Sequence, residues 1–250
     1  MTGRRFAACV RLTTAAAIAI VVAAPAQAQD ISINFGQGAG VTERVIQLIA
    51  LLTVLSLAPS ILVMMTSFTR IVVVLSLLRT ALGTATAPPN SVIIALALFL
   101  TAFVMGPVLQ KSYDDGIKPL VANQIGVEEA LQKASVPLRG FMQKNVREKD
   151  LKLFIDLSGE PPPATPEDLS LRILVPAFMI SELKRAFEIG FLLFLPFLII
   201  DLVVASVLMS MGMMMLPPVV VSLPFKLIFF VLVDGWSLVA GSLVQSYGGS

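Results

Sequence analysis

The chain has 250 residues, 56% of them hydrophobic and only 14% charged, with a mean hydropathy of +0.89. A soluble domain carries roughly 25% charged residues, so this chain has too little charge to cover an aqueous surface, and its apolar residues fall in blocks suited to a bilayer. The formal charge of +2 depends on Arg4, Arg5 and Arg11; without residues 1–28, 15 basic and 16 acidic side chains remain, which gives no footing for nucleic-acid binding. There is no histidine, and Cys9 is the single cysteine. A mature chain lacking both has no thiolate nucleophile, disulfide, Cys/His zinc site or histidine acid–base chemistry, so neither enzymatic activity nor a cofactor or metal is expected.

Residues 1–28 have the layout of a cleavable secretory signal. Arg4 and Arg5 form a basic start, residues 12–24 an apolar run too short for an ordinary span, and Ala26 and Ala28 supply small residues at −3 and −1. Cleavage after Ala28 is expected. The alternative is an uncleaved anchor.

The apolar tract 41–82 would reach roughly 63 Å as one helix, twice a bilayer core, so it must break. Pro59 is the expected kink, giving a span over about 45–66 and an amphipathic helix to Leu82. Gly83 suits a helix C-cap, and Pro88-Pro89 blocks continuation. A second span covers 91–109. Residues 111–172 then hold 9 basic and 10 acidic side chains, a water-facing insert of two short helices, with Pro137 able to open the second. Phe141, Val146, Leu151 and Phe154 form its broken apolar stripe. Residues 159–166 read as a loop, and Thr165-Pro166-Glu167-Asp168 as a capped helix start. Two more spans are expected at about 187–209 and 219–240, joined by 210–218. The organisation is therefore a signal peptide at 1–28, hydrophobic helices at 29–110, a polar extracytoplasmic insert at 111–175 and a C-terminal hairpin at 176–250.

Orientation follows from charge. A cleaved signal leaves the new N-terminus outside, and Arg70 and Arg79, with no acid between 67 and 90, place that stretch inside. The insert and the C-terminus then lie outside and the methionine loop inside, with Lys184 and Arg185 against the rule.

Charges within apolar spans cost about 2.5–3.5 kcal/mol on insertion scales, so each needs a reason. Asp201, Lys226, Asp234 and the cluster Glu182, Lys184, Arg185 and Glu188 qualify. They read either as an ion or proton path or as pairing between helices or subunits. Pairing is favoured because the cluster carries both signs at helical spacing: Glu182 to Arg185 at i,i+3 and Lys184 to Glu188 at i,i+4. In a simple hairpin Asp201 and Asp234 sit at similar depth, with Lys226 two turns nearer the bend. That deficit of positive charge points to a partner elsewhere in an assembly. Met209, Met211, Met213, Met214 and Met215 crowd the hairpin loop. Composition alone favours core filler, with a flexible apolar seal and a soft-metal site as the other readings.

Three long strings resemble one family, the FliP proteins of the bacterial flagellar export apparatus. They are residues 64–84 with PPN at 88–90 and ALALFLTAFVM at 95–105; PAFMISELKRAFEIGF at 176–191; and residues 196–218 followed by LPFKLIFFVLVDGW at 223–236. Ser91 departs from the family's usual glutamine, and 116–136 matches weakly. The resemblance implies an all-α membrane protein of helical hairpins from about four hydrophobic helices, with the polar insert between the second and third. It implies a subunit of a homo-oligomeric ring, pentameric in known relatives, in the inner membrane at the flagellar basal body. FliQ and FliR complete the gate, FlhA and FlhB operate beneath it, and unfolded flagellar subunits pass through its centre. The methionine run Met213, Met214 and Met215 would line the constriction that closes the resting pore. The buried charges Glu182, Arg185, Glu188, Asp201, Lys226 and Asp234 would serve assembly. The resemblance also implies apolar helices packed mostly on one another, so that four hydrophobic stretches need not be four lipid-facing spans. A virulence-type injectisome subunit, which usually lacks a cleaved signal, is the alternative within the family, and an ion or small-molecule transporter the alternative outside it.

Overall fold

The structure, a computed structural model, describes residues 41–84, 86–159, 165, 169–213 and 215–248. The expected signal peptide and most of the helix start at 165–168 lie outside the described residues. The chain divides into two units, 1–53 and 54–250. Every regular element among the described residues is helical.

Helix α1, Val41–Met64, runs through Pro59 without interruption. The expected break comes later, at Met65–Ser67, where Thr66 Oγ1 donates to the Val63 carbonyl and turns the chain. Helix α2, Phe68–Ala81, is no surface amphipathic helix. Its Arg70, Ile71, Val74, Leu75 and Leu78 are all buried, because neighbouring helices cover most of its circumference. Gly83, at φ 76°, ends it in the left-handed region that glycine adopts without steric cost. Pro89 is the N-cap of α3, Asn90–Ser112, so the Pro-Pro pair starts a helix as well as stopping one.

Helical structure continues from α3 through a π-turn, Tyr113–Ile117, into α4, Lys118–Val121. Pro119 supplies the cause: it has no N–H for the Asp115 carbonyl, and its ring crowds that carbonyl, so the ladder widens by one residue. The insert contains two further helices, but Pro137 does not open the second. It lies inside α5, Val127–Asn145, and α6 begins only at Glu148, ending at Ser158. Val146 and Arg147 are extended between them, and the Arg147 N–H donates to Ser181 Oγ at 3.1 Å. A tertiary hydrogen bond therefore sets the break, where the proline costs the helix only one.

Helix α7, Leu171–Ser210, is a single 40-residue helix containing Pro176 and Pro196. It absorbs both the charged cluster and the expected third span. Ser170 caps it by accepting from the Arg172 N–H. The expected fourth span is not one helix. It divides into α8, Pro218–Leu232, and α9, Gly235–Gly248, bent by 63° at Val233–Asp234. Among the described residues, Asn90–Val121 and Leu171–Ser210 are long and apolar enough to cross a membrane, with the bent α8–α9 pair a third if taken as one span. The first expected span falls in α1, where Leu48–Leu57 is an apolar stretch of helix.

Two cores organise residues 54–250. The larger gathers Ile71, Val74, Leu75 and Leu78 of α2 with Ile93 and Ala97 of α3, Ala186 and Phe197 of α7, Phe230 of α8, and Val239 and Leu243 of α9. The smaller joins Met65, Met142, Leu174 and Phe178, with Phe141, Val146, Leu151 and Phe154 packed against it. The interrupted stripe in the insert is thus the face that docks on α7.

Candidate functional site: a methionine loop and buried ion pairs

The loop between α7 and α8 follows from local chemistry. Gly212, at φ 73°, donates to the Met209 carbonyl at 3.1 Å, and Met213 donates to the Leu208 carbonyl at 3.0 Å. These two bonds form a Schellman motif, which satisfies the last carbonyls of α7 and ends it sharply. Pro217 and Pro218 then start α8, where a missing N–H costs nothing. Between the two stops the methionines are held out from the chain. Met209, Met211 and Met213 are exposed, and Met215 is 98% exposed; Met214 lies outside the described residues. The four described methionines therefore do not fill this chain's own core. Beneath the loop, an apolar cleft of about 480 Å³ opens between α7 and α8, lined by Ile199, Val203, Val207, Leu208, Val221 and Phe225 among others.

Lower in the hairpin, Lys226 Nζ donates to Asp201 Oδ2 at 2.7 Å and to the Ala81 carbonyl at 3.2 Å. Ser222 Oγ donates to Asp201 Oδ1 at 2.5 Å. The lysine thus neutralises the carboxylate and also caps the negative end of α2. Both oxygens of Asp201 have partners within this chain, and Lys226 is thereby taken. Asp234 is not at Asp201's level within a straight helix. It is the left-handed residue of the α8–α9 bend, at φ 49°, exposed and without an ion-pair partner among the described residues.

The charged cluster on α7 does not pair along its own helix. Glu182 is fully buried and takes Arg70 of α2 instead, through Nε at 2.9 Å and Nη2 at 2.5 Å. Tyr247 of α9 also donates to Glu182, and Arg70 Nη1 donates to Ser246 Oγ at 2.9 Å. Glu188 faces Arg147 at 3.8 Å. Neither expected intrahelical pair forms, and Lys184 and Arg185 have no ion-pair partner among the described residues. The reason is burial: Glu182 is fully buried against Arg70 of α2 and Tyr247 of α9, whereas Arg185 is only half-buried. Ser181, next to it, donates to Asp150 Oδ2 at 2.8 Å, so about two turns of α7 serve three polar attachments.

Ser222 and Tyr247 were not among the residues singled out by sequence, and Arg70 was read only as a marker of orientation. Arg70 carried a usable signal, since an arginine within SFTRIVVVL is as costly to bury as Asp201. Tyr247, seven residues beyond the last expected span, carried none.

Comparison with known proteins places this arrangement. The FliP family model matches residues 51–243. The chain is 63% identical over 243 residues to a flagellar biosynthetic protein FliP of Caulobacter vibrioides, covering 97% of this chain and 91% of the relative. It is 58% identical to one of Pectobacterium carotovorum, over 81% of this chain and 78% of the relative. It is 56% identical to one of Bacillus subtilis, over 81% and 91% respectively. The matched region takes in α2 with Arg70, the whole of α7 with Glu182 and Asp201, the methionine loop, and α8 with Lys226. By the family match and by identity over most of its length, the chain belongs to the FliP family.

Proposed function

We propose that this chain is a core subunit of the flagellar type III protein export gate, forming the channel by which unfolded flagellar subunits cross the bacterial inner membrane. The observation that carries the reading is 63% identity, over 97% of the chain, to a relative named as a flagellar biosynthetic protein. The apolar helices agree with a multi-pass position in the basal body. Copies of the chain form a ring with FliQ and FliR, above FlhA and FlhB, and transport is its work rather than catalysis. The uncovered apolar side chains of α7, Leu198, Ile199, Leu202, Val203 and Val207, supply area that a neighbour in such a ring would bury. Met213, Met214 and Met215 close the resting pore, and the buried charges hold each subunit in the shape that assembles.

Deletion of the gene tests this. Cells lacking it should be non-motile, with neither hook nor filament, and should regain both when the gene is restored. Normal hooks in the deletion strain would reject the reading.

A further inference from the structure

The last turn of the chain closes a buried network. Tyr247 is buried, its hydroxyl donating to Glu182 and lying 3.4 Å from the Ser67 carbonyl. The Arg70 guanidinium carbon stands 3.8 Å above the Tyr247 ring, and the ring's other neighbour is Phe141 of α5, stacked at 5.7 Å and 23°. One side chain of α9 thus joins α2, α5 and α7. At the opposite end of α9 the backbone is strained. Asp234 is left-handed, which β-carbon sterics disfavour, though less for an aspartate than for most residues with a β-carbon. The hydrogen-bond ladder stops at the joint: Val233 N–H reaches the Phe229 carbonyl and Asp234 N–H the Val231 carbonyl on one side, and Leu238 N–H returns to the Asp234 carbonyl on the other. Asp234 is therefore the joint at which α8 ends and α9 begins. Gly235 permits the bend, because a Cβ there would stand 2.1 Å from Phe230 Cε2.

We propose that the contacts of Tyr247 with Glu182, Arg70 and Phe141 form a latch that holds α9 bent against the strain at Asp234, and that its release straightens residues 218–248 into one helix. That helix would be about 46 Å long, longer than a hydrocarbon core of roughly 30 Å. The latch thus selects between a bent C-terminal segment packed on α2 and α7 and a continuous apolar span. Tyr247 lies 13 residues from the hinge, a lever of about 20 Å, so undoing a 63° bend carries it about 20 Å from Glu182. The inference concerns the chain's own folding choice and stands apart from its role in export.

The test is pulsed electron spin resonance on the full chain in lipid nanodiscs. Spin labels are placed at Lys184→Cys and Gln245→Cys, both exposed, in a Cys9→Ser background. The parent should give one narrow short distance. Tyr247→Phe, which keeps the ring beneath Arg70 and against Phe141, should retain it in the majority. Tyr247→Ala should add a second population about 20 Å longer, and Asp234→Gly in that background, by relieving the strain, should return most molecules to the short distance. A single short distance in Tyr247→Ala would overturn the latch. So would a broad distribution that Asp234→Gly leaves unchanged, since that reports lost folding and not a hinge.

Discussion

Lys226 reaches across the α7–α8 hairpin to Asp201 at 2.7 Å while also holding the Ala81 carbonyl at the end of α2 at 3.2 Å. Two spans and a buried helix end are thereby fastened by one ammonium group whose side chain is only 4% exposed. Removing one member of such a pair leaves the other charge buried without compensation, at a cost of roughly 3–5 kcal/mol, whereas replacing both by apolar groups is often neutral. Lys226→Ala should therefore lower the recovery of the complex in detergent. Lys226→Met combined with Asp201→Leu should restore much of it. If the double variant assembles but its export no longer depends on proton motive force, the pair serves proton movement and not assembly.

Ser181 is a polar attachment between the insert and α7. It accepts from the Arg147 N–H at 3.1 Å and donates to Asp150 at 2.8 Å. Ser181→Ala leaves a buried backbone donor and a carboxylate with fewer partners, a loss of about 1–3 kcal/mol. Hydrogen exchange should show increased opening of residues 141–158 with little change in α3. Equal loosening of both would place the attachment elsewhere.

Two glycines mark close helix crossings but differ in what a methyl group would meet. At Gly116 a Cβ would stand 2.6 Å from the Ala130 carbonyl oxygen and 2.8 Å from the Ala134 nitrogen, both backbone atoms. At Gly190 the nearest atom is the Cδ1 end of Leu77, at 2.3 Å, which can rotate away. Overpacking typically costs about 1–3 kcal/mol. Gly116→Ala should fall at or above the top of that range and Gly190→Ala lower, as read from thermal unfolding in detergent. The reverse order would mean that the α5 backbone yields more readily than the Leu77 side chain.

The methionine run gives the most direct functional test. An unbranched thioether side chain moves among many rotamers and can close around varied cargo, and a ring of them keeps a constriction dry. Replacing Met213, Met214 and Met215 together with alanine should leave the complex assembled but raise its closed-state conductance in planar bilayers. Core packing instead predicts a destabilised protein without a leak, and an unchanged conductance would reject the seal.

The sequence by itself determined where helices begin and end when the cause was local. Gly83 and Gly212 stop helices because a left-handed residue is easiest at glycine, and the proline pairs at 88–89 and 217–218 start the next ones because a first-turn residue needs no N–H. It also marked the methionine segment and the intramembrane charges, since each is costly or unusual without any neighbour being known. The tertiary structure alone decided what those charges do. Glu182 has Arg185 within reach on its own helix, yet its partner is Arg70, 112 residues earlier, because the face that turns inward is chosen by packing on α2 and α9. The same holds for two of the breaks. Pro137 stays helical while the chain opens at Val146–Arg147, where Ser181 offers a hydrogen bond, and the apolar run 219–240 divides at Asp234, where the packing of Phe230 on Gly235 and the distant hold on Tyr247 favour a bend. Hydropathy sums over neighbours along the chain and cannot register a contact that arrives from another helix.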